Sequence, residues 1–235
     1  MTTPPAPAPA SDPAVATAPL ADQSALIRVG QRVRARLAAD PGAYRVPTDE
    51  AEIFAVGNFL SPDECRAMMA AIDEVARPST VYEVGHAENY RTSYSGDVDP
   101  GDPSVRMIER RIDDLLGMAP QLGEALQGQR YLPGQEFKAH YDWLWTLAEY
   151  WPREKRRGGQ RSWTAMVYLN AVEEGGATEF TELGISITPQ AGALLVWNNA
   201  TPEGAPNPQT MHAAQPVIRG RKYVMTKWYR TRKWY

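Results

Sequence analysis

A chain of 235 residues, 43% hydrophobic and 23% charged with a formal net charge of -3, can build one substantial core and carries no whole-chain charge that would select a nucleic acid or a membrane surface. Its single cysteine, Cys65, excludes an internal disulfide framework and a zinc–thiolate cluster. No run approaches the roughly 18 apolar residues that span a bilayer, and the opening residues lack the basic and apolar stretches of a secretory leader, so a cytoplasmic location is expected.

Residues 1–19 are rich in Pro, Ala and Thr, with almost no large apolar groups. Such a segment gains too little from burial to offset its ordering entropy, and a disordered or polyproline-like tail is expected. From Asp22 to Ala39, Leu26, Ile27, Val33 and Leu37 recur at helical spacing with Arg28, Arg32, Arg34 and Arg36 between them. Asp40-Pro41-Gly42 ends that helix, so residues 20–50 read as an N-terminal helix and linker whose basic face is solvated. The remainder, 51–235, reads as one domain. Ile53–Val56 is strand-like, and Ser61-Pro62-Asp63-Glu64 then opens a helix with Ser as N-cap, Pro in the first turn and Glu64 closing a capping box. Cys65 falls inside this helix and reads as a small buried residue. Thr80–Val84 alternates like a strand, and residues 85–103 read as a polar loop that holds His86 and Arg91. Asp102-Pro103 starts another helix, with Val105, Ile108, Ile112, Leu115 and Leu116 on one stripe. Residues 51–125 are thus a helical support.

From about residue 126 the pattern changes to short strands separated by turn signals: 129–132, 136–143, 162–170, 177–180, 185–188, 193–197, 210–217 and 222–230. The predicted fold is mainly β with flanking helices, a sandwich or jelly roll over 126–230. On an extended strand, His140 and Asp142 project from one face and present an imidazole beside a carboxylate, two of the three ligands of a facial iron(II) site. A third must come from His86 or His212, the other histidines. A lone His-x-Asp triplet is weak evidence, and the surrounding chain is what strengthens it.

Several ordered segments carry a resemblance. Arg91-Thr92-Ser93 is followed by Arg130-Tyr131-Leu132-Pro133-Gly134-Gln135, leading into His140-Tyr141-Asp142. Tyr168-Leu169-Asn170 continues through Glu173-Glu174-Gly175-Gly176-Ala177-Thr178-Glu179-Phe180, and then come Pro189-Gln190-Ala191-Gly192 and His212-Ala213-Ala214-Gln215-Pro216-Val217. Arg219-Gly220-Arg221-Lys222-Tyr223 and Thr226-Lys227-Trp228 close the series. From about Phe54 to Arg230 the chain resembles the prolyl 4-hydroxylase-like branch of the 2-oxoglutarate- and iron(II)-dependent dioxygenases; the tail and first helix lie outside the resemblance. It implies a double-stranded β-helix (jelly-roll) core in which His140, Asp142 and His212 hold iron(II). It further implies that Lys222 pairs with the distal carboxylate of 2-oxoglutarate, with Tyr131 and Thr178 lining that pocket and Trp228 in the wall of the site. Tyr223 and Ala213-Ala214-Gln215 depart from the family's usual residues.

Lys227 competes with Lys222 for the co-substrate. Strand parity sets Lys222, Val224, Thr226 and Trp228 on one face and Tyr223, Met225 and Lys227 on the other, without saying which face points inward. The family's spacing from the late histidine selects Lys222. The implied reaction is hydroxylation of a C–H bond, foremost in a prolyl residue of a peptide or protein, with release of succinate and carbon dioxide and with ascorbate as an accessory reductant. Arg91, Trp143 and Trp145 are substrate-contact candidates, the two tryptophans within an aromatic and basic stretch that reads as a lid. The rival readings are the same chemistry on a free amino acid or small metabolite, marked by a closed pocket rather than a wide groove, and a non-catalytic sensor of metal or 2-oxoglutarate. The basic ending from Arg230 to Tyr235 is expected to be solvated.

Overall fold

The computed structural model describes residues 22–80 and 90–234. The Pro/Ala-rich tail, His86 and nearly all of the strand expected over 80–84 lie outside those residues. In chain order the elements are helix α1 (Gln23–Ala39), strands β1 (Ala43–Arg45) and β2 (Ile53–Val56), helix α2 (Pro62–Val75), strands β3 (Arg77–Pro78) and β4 (Tyr94–Asp97), and helix α3 (Pro103–Leu116). Next come β5 (Gln127–Tyr131), β6 (Phe137–His140), helix α4 (Trp151–Arg157), β7 (Arg161–Tyr168), β8 (Glu174–Gly175), β9 (Thr178–Phe180) and β10 (Ile185–Ile187). The chain closes with β11 (Leu194–Asn198), β12 (His212–Ala214), β13 (Val217–Arg219) and β14 (Lys222–Arg230). No helix among the described residues is long and apolar enough to cross a membrane.

Eight strands form a major sheet in the order β1-β2-β11-β7-β14-β5-β4-β3, and a minor sheet runs β10-β9-β12-β6. β7 and β14 are buried at every position, because both faces of the major sheet are covered. Trp163, Ala165, Val167, Tyr223, Met225 and Tyr229 point toward the helices, where they join Val33 and Leu37 of α1, Met68 and Ile72 of α2, and Ile108 and Ile112 of α3. Met166, Tyr168 and Val224 point the other way and pack with Tyr131, Phe180, Leu195 and Trp197 in the space between the sheets. Antiparallel register sets Lys222 opposite Tyr131, Val224 opposite Gln129 and Tyr168, and Trp228 opposite Thr164. One inward face therefore collects the polar groups that the interior contains. This is the expected jelly roll backed by helices.

Local signals explain most of the helices. Ser61 Oγ accepts from the Glu64 amide while Glu64 accepts from the Ser61 amide, the reciprocal cap expected from the sequence. Asp102 caps α3, and Gly117 ends it in the left-handed region. The arginines of α1 are less free than expected: Arg36 donates to the carbonyls of Asp114 and Leu115 at the end of α3, and Arg34 pairs with Glu52.

Three local expectations are corrected, and one stretch gains a defined element. The loop expected over 85–103 contains β4, whose polar Tyr94-Ser95-Gly96-Asp97 carries no hydrophobic alternation; a Cβ on Gly96 would stand 2.5 Å from the Val75 carbonyl oxygen. The single strand expected over 210–217 is two, β12 and β13, belonging to different sheets. Within the stretch that reads as a lid, residues 151–157 form helix α4, tied down by the fully buried Glu154. The strand expected over 136–143 stops at His140.

Candidate metal centre

His140 ends β6 and His212 begins β12, and the two are direct register partners across the minor sheet. Asp142 lies two residues beyond the strand, so it reaches the same space through a bend and not through the strand parity expected from the sequence. β6 stops where its pairing with β12 stops. Ligand atoms of His140, Asp142 and His212 all lie within 4.8 Å of one another, and His212 Nε2 is 3.9 Å from Asp142 Oδ2.

The orientation of each ligand is fixed from behind. His140 Nδ1 lies 2.8 Å from the Lys138 carbonyl oxygen and His212 Nδ1 lies 2.9 Å from that of Thr210. A carbonyl only accepts, so each Nδ1 carries the hydrogen and each Nε2 lone pair is left for a cation. Burial, aided by the neighbouring His212, holds the His140 pKa well below the usual imidazole range, which keeps the ring in its neutral ligating form. Its ring stacks on Phe137 at 3.6 Å between centroids. Thr164 Oγ1 donates to Asp142 Oδ2 at 2.7 Å, and Asn199 Nδ2 donates to Thr164 Oγ1 at 2.9 Å. Thr164 and Asn199 were missed by sequence reasoning. The only available signal for Thr164 was its parity with Met166 and Tyr168 on β7, which does not distinguish a buried hydroxyl from ordinary core.

Beside the three ligands lies a cavity of about 50 Å³ lined in part by Tyr131, Thr178, Lys222, Thr226 and Trp228. Lys222 is 1% exposed, and its Nζ sits 3.4 Å from Thr178 Oγ1 and 5.4 and 5.7 Å from the Tyr131 and Tyr168 ring centres. No carboxylate among the described residues pairs with it, and burial lowers its pKa to about 7. Lys227 faces the opposite way, 2.9 Å from Glu109 and 3.6 Å from Asp113. The parity question is thereby answered: Lys222 faces the cavity and Lys227 the helices. The Tyr131 hydroxyl donates to Gln129 Oε1 at 2.8 Å, and Gln129 Nε2 to Thr226 Oγ1 at 3.2 Å.

A wider groove of about 540 Å³ opens from His140 and Asp142 and is lined by Arg91, Trp143, Trp145 and Trp228, among others. Arg91 lies at the junction of cavity and groove, its guanidinium 4.7 Å from the Phe137 ring centre and 3.0 Å from Gln127 Oε1. Trp143 lines the groove but is buried in packing against Leu26 and Ala200, whereas Trp145 is half-buried and meets Tyr141 edge-on at 5.5 Å. Trp228 lies under the Arg161 guanidinium at 4.2 Å, and its indole N–H has no acceptor among the described residues. The groove wall is stiffened by a buried network: Arg230 donates to Glu124 at 2.5 Å and to Glu154 at 2.7 Å, and Arg161 donates to both Glu124 oxygens. Arg230 is thus a buried structural residue and not part of a solvated ending; together with Arg161 it offsets the charges of Glu124 and Glu154.

Comparison with known proteins places this geometry. Residues 126–230 match the 2OG-Fe(II) oxygenase superfamily. A probable prolyl 4-hydroxylase of Arabidopsis thaliana is 32% identical over 201 residues, spanning 75% of this chain and 68% of that protein. The chain belongs to the prolyl 4-hydroxylase-like 2OG-Fe(II) oxygenases. A putative prolyl 4-hydroxylase of Acanthamoeba polyphaga mimivirus is 30% identical over 181 residues, covering 77% of this chain and 74% of its own. Among solved structures, a viral collagen prolyl hydroxylase from Paramecium Bursaria Chlorella virus-1, in complex with 2OG, aligns with a TM-score of 0.59 at 28% identity over 75% of this chain and 94% of that one. A prolyl hydroxylase from Trichoplax adhaerens, bound to a hypoxia inducible factor peptide fragment, has a TM-score of 0.59 at 14% identity, covering 89% of this chain and 96% of its own, and shows the shared fold.

The residues of this oxygenase fit both groups that the family uses. Two imidazoles and a carboxylate on one side of a cation are the donor set suited to iron(II) with open positions. A buried ammonium without a counter-charge is costly, and a carboxylate-bearing co-substrate relieves that cost.

Proposed function

We propose that this oxygenase hydroxylates a prolyl residue in a peptide or protein, consuming oxygen and 2-oxoglutarate and releasing succinate and carbon dioxide. The carrying observation is the convergence of His140, Asp142 and His212 beside the unpaired buried ammonium of Lys222. His140, Asp142 and His212 would hold iron(II), and Lys222 would grip the distal carboxylate of 2-oxoglutarate, with Thr178 and Tyr131 closing around it. Bound iron(II), with 2-oxoglutarate as electron source, supplies the oxygen activation that the side chains lack. The chain's own contribution is placement: Thr164 holds the Asp142 carboxylate, two backbone carbonyls hold the imidazoles, and the apolar inner walls exclude water.

Arg91, Trp145, Trp228 and Trp143, which all line the groove, would contact the substrate. The volume of the groove and its aromatic lining favour a peptide over a free metabolite. The names of the relatives support the same substrate class. The test is mass spectrometry of proline-rich peptides incubated with the protein, iron(II), ascorbate and 2-oxoglutarate. One added oxygen on a proline is expected, and it should be lost in folded His140→Ala and Asp142→Ala variants. Oxygen added only to free amino acids would replace the peptide reading, and absence of succinate formation would end the enzymatic one.

A further inference from the structure

The first described residue, Asp22, is fastened to residues directly behind the wall of the groove. Its Oδ2 accepts from the Gln160 amide at 3.1 Å and from Thr231 Oγ1 at 2.9 Å, and lies 3.6 Å from the Arg232 guanidinium. Gln160 in turn holds Leu144, donating to its carbonyl at 2.7 Å and accepting from its amide at 2.8 Å. Leu144, Arg157, Arg161 and Trp234 all line the groove, and Arg157 lies 5.4 Å from the Trp234 ring centre. One turn into α1, Leu26 packs against Trp143. The chain therefore enters the described structure beside the opening that leads to the metal ligands.

The 21 residues that precede Asp22 include Pro4, Pro5, Pro7, Pro9, Pro13 and Pro19, are otherwise mostly Ala and Thr, and carry no Lys or Arg. Proline-rich chains favour an extended polyproline II geometry that aromatic-lined grooves accept at low entropic cost. At about 3.1 Å per residue in that geometry, three residues of chain reach roughly 9 Å and nine residues roughly 28 Å, the separations in sequence of Pro19 and Pro13 from Asp22. A tether of this length holds its own prolines at millimolar effective concentration, so weak intrinsic affinity suffices for turnover.

We propose that this N-terminal segment, residues 1–21, is a cis substrate of the enzyme, entering the groove from the Asp22 anchor and becoming hydroxylated on proline. The inference rests on the prolyl-hydroxylase reading above. The reaction balances with the same co-reactants: one oxygen atom of O2 is inserted into a prolyl ring C–H bond, the other enters the carboxylate of succinate, and the C1–C2 bond of 2-oxoglutarate breaks to release carbon dioxide.

The test uses the full chain with iron(II), ascorbate, 2-oxoglutarate and air, followed by mass spectrometry of its N-terminal peptide. An added oxygen on at least one proline of residues 1–21 is expected, absent from His140→Ala, with a first-order rate unchanged over a tenfold dilution of enzyme. A rate that falls in proportion to dilution would overturn delivery in cis. No oxygen in the segment, while a synthetic peptide of alternating proline and alanine is hydroxylated in trans, would overturn this inference and leave the proposed function standing. Failure on both substrates would remove the prolyl reading and this inference with it.

Discussion

Lys222 and Lys227 share one strand, and opposite environments divide their roles. Lys227 is neutralised by Glu109 and Asp113, so Lys227→Ala should destabilise the fold by about 3–5 kcal/mol, as expected when one partner of a buried ion pair is removed, with little change in co-substrate affinity. Lys222→Ala should instead raise the KM for 2-oxoglutarate roughly 10- to 150-fold, the equivalent of about 1.5–3 kcal/mol for a charge-assisted hydrogen bond. A reversed pattern in steady-state kinetics would reassign the two lysines. Burial holds the Lys222 pKa to about 7 before an anion arrives, and the protonated form is the one that binds a carboxylate. The KM for 2-oxoglutarate should therefore be flat below that pH and rise above it, about tenfold per unit once deprotonation dominates. Thr164 acts one bond further from the chemistry. Thr164→Val keeps the shape but removes the donor to Asp142, and the affinity for a divalent cation should fall roughly 10- to 100-fold with the fold retained. Titration with manganese(II) or cobalt(II) reads this directly, and unchanged affinity would leave Thr164 with a packing role alone.

Helix α2 rests on β5 at Gly128, where an added Cβ would stand 2.3 Å from Ile72 Cγ1. Gly128→Ala should cost about 1–3 kcal/mol through overpacking, and smaller Ile72→Val should recover part of that loss in the same chain; thermal unfolding of the single and double variants measures it. The limits of α1, α2 and α3 were legible in the sequence because caps and apolar stripes are local signals. The two faces of β14 were legible as well, although the inward face needed tertiary information to name. β4, α4 and the early end of β6 were not legible. Each is held by partners distant in sequence: β5 for β4, Arg230 for Glu154 of α4, and the loss of β12 pairing beyond His140. The three residues of the candidate metal centre stood out because histidines are scarce here and the family order is specific. The donors and carbonyls behind them were invisible, since hydroxyls and backbone atoms carry no pattern along a strand.

At the scale of the molecule, the major and minor sheets are unequal. The major sheet is backed by three helices and packed on both faces, whereas the minor sheet consists of one strand of four residues and three of three. Its two histidines stand opposite each other on a single rung. A cation gripped there would work as a rivet, joining neighbouring strands of the thinner layer at the point where their ladder ends. Ligand that binds only the folded state adds RT ln(1 + [L]/Kd) to its stability, about 2.7 kcal/mol at a hundredfold excess over Kd. Amide exchange should slow on adding manganese(II), most at residues 137–140 and 212–214, and little along β7 and β14. Equal slowing in both layers would mean that the ion tightens the whole barrel. A local effect would make the emptied enzyme one whose thin wall loosens first, so that loss of iron would expose the interior before the rest of the fold yields.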